Sequence, residues 1–70
     1  MWTNINQVYT SRHSQNCWAH LAATNQWSKV LTGATDGVTN VFLLLCAAKA
    51  NSKQVYVALD GSNNITAAYM

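Results

Sequence analysis

Apolar and polar positions divide this chain into two unlike halves. In residues 36–70 an apolar run opens after Asp36 and Gly37, extends from Val38 to Ala50, and stops at Asn51, Ser52 and Lys53. Such a run predicts a helix. Val38, Val41, Phe42, Leu45 and Lys49 fall on one face and Leu43, Leu44, Ala47 and Ala50 on another, with Thr39 and Asn40 as polar exceptions near the start. Thr35 or Asp36 can accept hydrogen bonds from the first free N–H groups, and a carboxylate suits that end of the helix dipole. Lys49 and Lys53 suit the other end, and Asn51 is expected to be the left-handed residue that closes the helix. Two alternating segments follow, Val55–Leu59 and Ile65–Tyr69, around Asp60, Gly61, Ser62, Asn63 and Asn64. They read as a hairpin, with Gly61 and Asn63 tolerating positive φ in the turn. Val55, Val57 and Leu59 are expected to share a face with Ile65, Ala67 and Tyr69, leaving Gln54, Tyr56, Ala58, Thr66 and Ala68 on the other.

The first half is β-like but less regular. Residues 2–10 hold Ile5, Val8 and Tyr9 among polar neighbours, and the polar stretch around His13 reads as a turn. Residues 17–21 alternate Cys17, Ala19 and Leu21 against Trp18 and His20, as a half-exposed strand does. A turn through Thr24 and Asn25 leads to a third strand over 27–32, with Trp27, Lys29 and Leu31 on one face. Gly33, Ala34 and Thr35 punctuate the chain before the helix. The expected order is β-β-β-α-β-β, an α+β domain spanning residues 1–70, with no internal repeat.

A helix packed on one side of a sheet needs one apolar stripe. This one is apolar almost all round, and a chain this short buries only about 60% of the surface its unfolded form exposes. A second copy is the simplest cover for the remaining face, so Phe42, Leu43, Leu44 and Ala47 are the expected subunit interface. Composition points the same way. Half the residues are hydrophobic and 9% are charged, against roughly 25% charged in an ordinary soluble domain. Asn, Gln, Ser and Thr carry the polarity, and they face a partner at a smaller desolvation cost than Lys or Glu. A homo-oligomer is therefore expected.

Arg12, Lys29, Lys49 and Lys53 against Asp36 and Asp60 leave a net charge of +2. The cations are scattered, with no stripe to track phosphates, so no nucleic-acid partner is expected. The longest unbroken apolar run, residues 41–48, is far shorter than the approximately 20 residues that span a bilayer, so no membrane insertion is expected. No charged leader with an apolar stretch and cleavage site is visible. Either the chain is cytoplasmic or a leader was removed from it. If it is secreted, Cys17 and Cys46 can form one bridge contributing ~3–4 kcal/mol by loop entropy; if it is cytosolic, both act as small buried hydrophobes.

The order of elements, with a helix between the third and fourth strands, resembles small oligonucleotide/oligosaccharide-binding (OB) barrels. The second half also resembles the B-subunits of pertussis-like and subtilase-type bacterial toxins, and still more the small bacterial proteins related to them. The matching residues are 42–50, an apolar helix ending in Ala-Lys-Ala, then Asn51, Ser52 and Lys53 as a cap, then Val55–Leu59 and a return through Ile65–Tyr69 to a terminal Tyr. Ser52 occupies a cap where Gly is common. The resemblance implies a small OB-like β-barrel, assembly into rings, glycan binding and no catalytic activity. The first half carries no sugar-binding motif that aligns residue by residue, so no family site is transferred.

The residues themselves support no catalytic set. Asp36 and Asp60, the two carboxylates, sit where caps and turns want them. His20 lies three residues from Cys17, but alternate strand positions point to opposite faces, which argues against both a metal site and a nucleophile pair. No metal or cofactor is expected. Trp2, Trp18 and Trp27 all lie in the β-like half. Aromatic faces stack on sugars or bases, but they also fill cores and subunit contacts. Trp18 and His20, on one face, with Tyr56 as a third member, are the candidate binding residues, for a glycan or another small polar ligand. The competing reading is a structural or protein-interaction module.

Overall fold

A computed structural model describes residues 1–12, 15–33 and 35–70, with only the main chain described at 35 and 36. His13, Ala34 and the capping side chains expected of Thr35 and Asp36 lie outside the described residues. The elements run β1 (Trp2–Thr3), β2 (Ile5–Thr10), β3 (Cys17–Leu21), β4 (Gln26–Lys29), α1 (Thr35–Ala50), β5 (Val55–Leu59) and β6 (Ile65–Tyr69). The fold is α+β, with two antiparallel three-stranded sheets in the orders β1-β5-β6 and β2-β3-β4.

Two features differ from the expected barrel. The N-terminal strand is split at Asn4, so four strands precede the helix and each piece serves a different sheet. On the opposite side, β4 ends at Lys29 and one isolated parallel bridge, Val30↔Ile65, links it to β6, with the Leu31 N–H donating to the Ile65 carbonyl at 2.9 Å. A single bridge does not make a continuous ladder, and among the described residues no closed barrel forms. Thr3 secures the Asn4 break: its buried hydroxyl accepts from the Ala23 N–H and donates to the Asn4 carbonyl, both at 2.9 Å.

Two β-bulges decide which side chains face inward. Between Ile5 and Gln7 the register against β3 shifts by one, so Asn6 and Gln7 both lie exposed while Ile5 and Val8 both pack inward. In the hairpin, Leu59 pairs with Ile65 but Ala58 pairs with Ala67, leaving Thr66 as the extra residue. Ile65 is buried beside Val55 and Val57, but beyond the bulge Ala68 turns inward and Ala67 and Tyr69 turn out. This corrects the expected grouping of Ala67 and Tyr69 with the valines, because an extra residue inverts a two-residue alternation.

The helix forms over the Leu- and Ala-rich run, where intrinsic propensity is high. It packs against β2, β3 and β6. Val38, Leu45 and Ala48 are buried, and Val41, Phe42 and Leu44 pack beside them. Inner residues of both sheets complete the core, among them Ala19, Leu21, Val30 and Val57. The C-terminus is a Schellman motif: the Lys53 N–H donates to the Ala48 carbonyl at 3.0 Å and the Ser52 N–H to the Lys49 carbonyl at 3.1 Å. The left-handed residue is Ser52 (φ 53°), not Asn51. Asn51 instead uses its side-chain amide to bond the Ala47 carbonyl at 2.8 Å.

In the turn after β5, the Asp60 carboxylate accepts from the N–H groups of Ser62 (2.8 Å) and Asn64 (2.9 Å). Hydrogen bonds from these two N–H groups, Asn64 first, hold the carboxyl below its ordinary range. Asn63 takes the positive φ, 65°, while Gly61 does not need it. Among the described residues, no helix is long and apolar enough to cross a membrane.

Candidate functional site

The outward face of β2-β3-β4 carries Tyr9, Trp18 and Trp27, with polar side chains of the same strands beside them. On β3, Cys17, Ala19 and Leu21 are buried, so Trp18 and His20 point outward by alternation. The four-residue turn 22–25, closed by the Asn25 N–H on the Leu21 carbonyl at 2.8 Å, sets the register with β4. Lys29 therefore stands opposite Trp18, and Trp27 opposite His20. From the other side, β2 places Tyr9 opposite Trp18 and Gln7 opposite His20.

Tyr9, Trp18 and Trp27 line an open depression of about 420 Å³. Tyr9 and Trp27 are 52% and 41% exposed, so their rings are available for contact. Trp18 is half-buried and oriented from below: its indole N–H donates to Asn16 Oδ1 at 2.9 Å, and the Asn16 amide donates to the Ser11 hydroxyl at 2.8 Å. The His20 ring meets Trp27 edge-on, with centroids 5.4 Å apart and planes at 80°, while His20 Nδ1 lies 3.0 Å from the Asn6 side-chain amide. The outward Asn6 that makes this contact is the bulge residue of β2. Lys29 Nζ lies 5.8 Å from the centre of the Trp18 ring.

Trp18 and His20 thus share a face, but the third candidate, Tyr56, does not join them. It lies on the other sheet, stacked on Tyr69 with centroids 4.8 Å apart. Trp2 meets both rings edge-on, at 5.6 and 6.0 Å. Tyr9 and Trp27 are not among the binding candidates that the sequence offers. The turn through Thr24 and Asn25 carries a partial signal for Trp27: counting outward from it sets Trp27 opposite Ala22, on the face that carries His20, while the turn that forms, 22–25, pairs Trp27 with His20 itself. No comparable count finds Tyr9, because the 11–16 connection that separates β2 from β3 fixes no register by a local pattern.

The helix candidates are also unlike one another. Phe42, Leu44 and Ala47 are half-buried, with Phe42 and Leu44 packed on the core. Leu43 is 61% exposed and points away from it. The core thus takes a wider arc of the helix than one stripe.

Cys17 and Cys46 are free thiols. Cys17 lies under the sheet with its sulfur 3.6 Å from the Thr10 hydroxyl, while His20 is on the outer face. Burial, reinforced by the nearby Cys17, pushes the Cys46 thiol above its ordinary range, which disfavours the thiolate. Among the described residues, no three His, Cys, Asp or Glu side chains are grouped to hold a metal ion. The face presents flat apolar rings edged by amides, an imidazole and an ammonium group. Comparison with protein-family models, curated proteins and solved structures found no match to this chain.

Proposed function

We propose that this protein is a non-enzymatic binding module that takes a glycan or another small polar ligand on the outer face of β2-β3-β4. The observation that carries this reading is the convergence of Tyr9, Trp18 and Trp27 around one open depression. Pyranose rings have apolar faces that pack on indole and phenol rings, while amides at the rim can bond hydroxyl groups. Asn6, Gln7 and His20 are the polar groups beside the aromatic trio. Tyr56 drops out of this ligand set.

An OB-like relationship, including one to the toxin B-subunits, is part of the same proposal. It is supported by the strand neighbours: Asn4 joins β1 to β2, and the Val30↔Ile65 bridge joins β4 to β6. Around that circuit the strands follow the order β1-β5-β6-β4-β3-β2. Homo-oligomeric assembly is supported by the low charge of the chain and by the exposed Leu43.

Glycan-array screening with the wild type and with Trp18→Ala and Trp27→Ala tests the binding reading. Wild-type binding that both variants lose is the expected result. Intact, folded protein that binds no sugar would sink it. In sedimentation analysis the wild type is expected to be larger than a monomer and Leu43→Lys to be smaller than wild type; a monomeric wild type refutes assembly.

A second reading, a structural or protein-interaction module, is favoured by the aromatic cluster on the other sheet, where the exposed Trp2 and Tyr69 meet the half-buried Tyr56. Loss of a protein partner on Trp2→Ala, with sugar binding absent throughout, would establish it over the first.

A further inference from the structure

The aromatic depression has a cationic neighbour, and the sheet that carries it holds no carboxylate. Lys29 is half-buried, stands opposite Trp18 and holds its Nζ over the Trp18 ring. It makes no ion pair among the described residues. Of the two carboxylates in the chain, Asp60 is bound within the turn after β5, and Asp36 belongs to α1. Resting on the reading of this face as a ring-binding platform, we infer that Lys29 sets its selectivity, favouring a ring that carries an anionic group such as a carboxylate, sulfate or phosphate.

The argument is one of exchange. A ring that stacks on Trp18 displaces the ammonium group from the indole face and forfeits a cation–π contact, a factor of about 2–5 in affinity at an exposed site. A neutral ring offers nothing in return. A cationic ring adds repulsion where no carboxylate offsets it. An anionic substituent beside the stacked ring gives the displaced ammonium a charge-assisted hydrogen bond, stronger than a neutral one. The flexible four-carbon stem of lysine lets the group swing from the ring to the ligand while its root stays in the strand.

Acidic sugars and mononucleotides both carry this chemistry, so matched pairs of probes separate the sources. Methyl glucoside against methyl glucuronide forms one pair, and uridine against uridine monophosphate the other. Binding to the whole chain is read by saturation-transfer NMR and tryptophan fluorescence, at low and at high ionic strength. The expected result is that the anionic member of at least one pair binds about 2–5-fold more tightly or better. That preference shrinks with salt, disappears in Lys29→Met and persists in Lys29→Arg. Thermal melts that match wild type establish that the variants are folded. Equal binding within both pairs, or a preference that survives Lys29→Met, overturns the role of Lys29 while leaving ring binding intact. No binding of any probe, with signals unchanged in Trp18→Ala, overturns the ring-binding reading and the selectivity with it.

Discussion

Replacing Ser52 by glycine is expected to stabilise the protein. Ser52 has φ 53° and closes the helix, with its own N–H on the Lys49 carbonyl and that of Lys53 on the Ala48 carbonyl. In this left-handed region a Cβ crowds the following carbonyl, at a cost of roughly 1–2 kcal/mol. Glycine avoids that clash but loses more backbone freedom on folding, roughly 0.5–1 kcal/mol. Ser52 is exposed and its hydroxyl has no partner among the described residues, so the substitution gives up no packing and no hydrogen bond. The difference leaves about 0.5–1 kcal/mol in favour of glycine, which for a domain of this size raises Tm by roughly 2–8 °C. Thermal and urea unfolding, with Ser52→Ala as a control, measure it. Alanine keeps the Cβ and is expected to leave Tm close to wild type. An unchanged or lower Tm for Ser52→Gly would refute the reasoning, because it would mean that residue 52 is not held in the left-handed region.

Three other outcomes test the core and the turn. Leu45 is fully buried, so Leu45→Ala is expected to lose about 2–5 kcal/mol. That is a large part of the ~4–10 kcal/mol available to a domain this small, so the variant should be partly unfolded by circular dichroism, whereas a native melt would place Leu45 outside the core. Ser28 is 1% exposed and its hydroxyl has no partner among the described residues; Ser28→Ala should gain about 1 kcal/mol in urea unfolding, and a loss of that size would reveal a hydrogen bond. Asp60 has a depressed pKa in the fold, so its contribution is fully present above the ordinary carboxylate pKa of about 3.9 and is lost as pH falls through the lower folded value. Asp60→Asn should therefore destabilise at neutral pH and flatten the acid limb of the stability curve; a limb as steep as wild type would contradict the turn geometry.

Periodicity made some elements legible and left others out of reach. The helix and both hairpin strands were readable because an apolar run and two alternating segments are local patterns, bounded by local turn chemistry. The Cys17–Leu21 strand was readable for the same reason, and it placed Trp18 and His20 together. The expected helix end is one residue from the observed one, with Ser52 rather than Asn51 in the left-handed position. Composition marks both as turn formers, and only the two closing hydrogen bonds distinguish them.

What the sequence determined by itself is the helix, the two hairpin strands and the Cys17–Leu21 strand with its inward face, since these depend on neighbours a few residues apart. What only the tertiary structure decided is which faces meet and which side chains an irregularity turns over. One extra residue at Asn6 and another at Thr66 invert the alternation, exposing Gln7 and Tyr69 and turning Val8 and Ala68 inward. The break at Asn4 sends Trp2 to the sheet that holds Tyr56 and Tyr69, away from Trp18 and Trp27. The candidate site depends on pairings across three strands, and strand register is set by long-range packing and by bulges that no local pattern specifies.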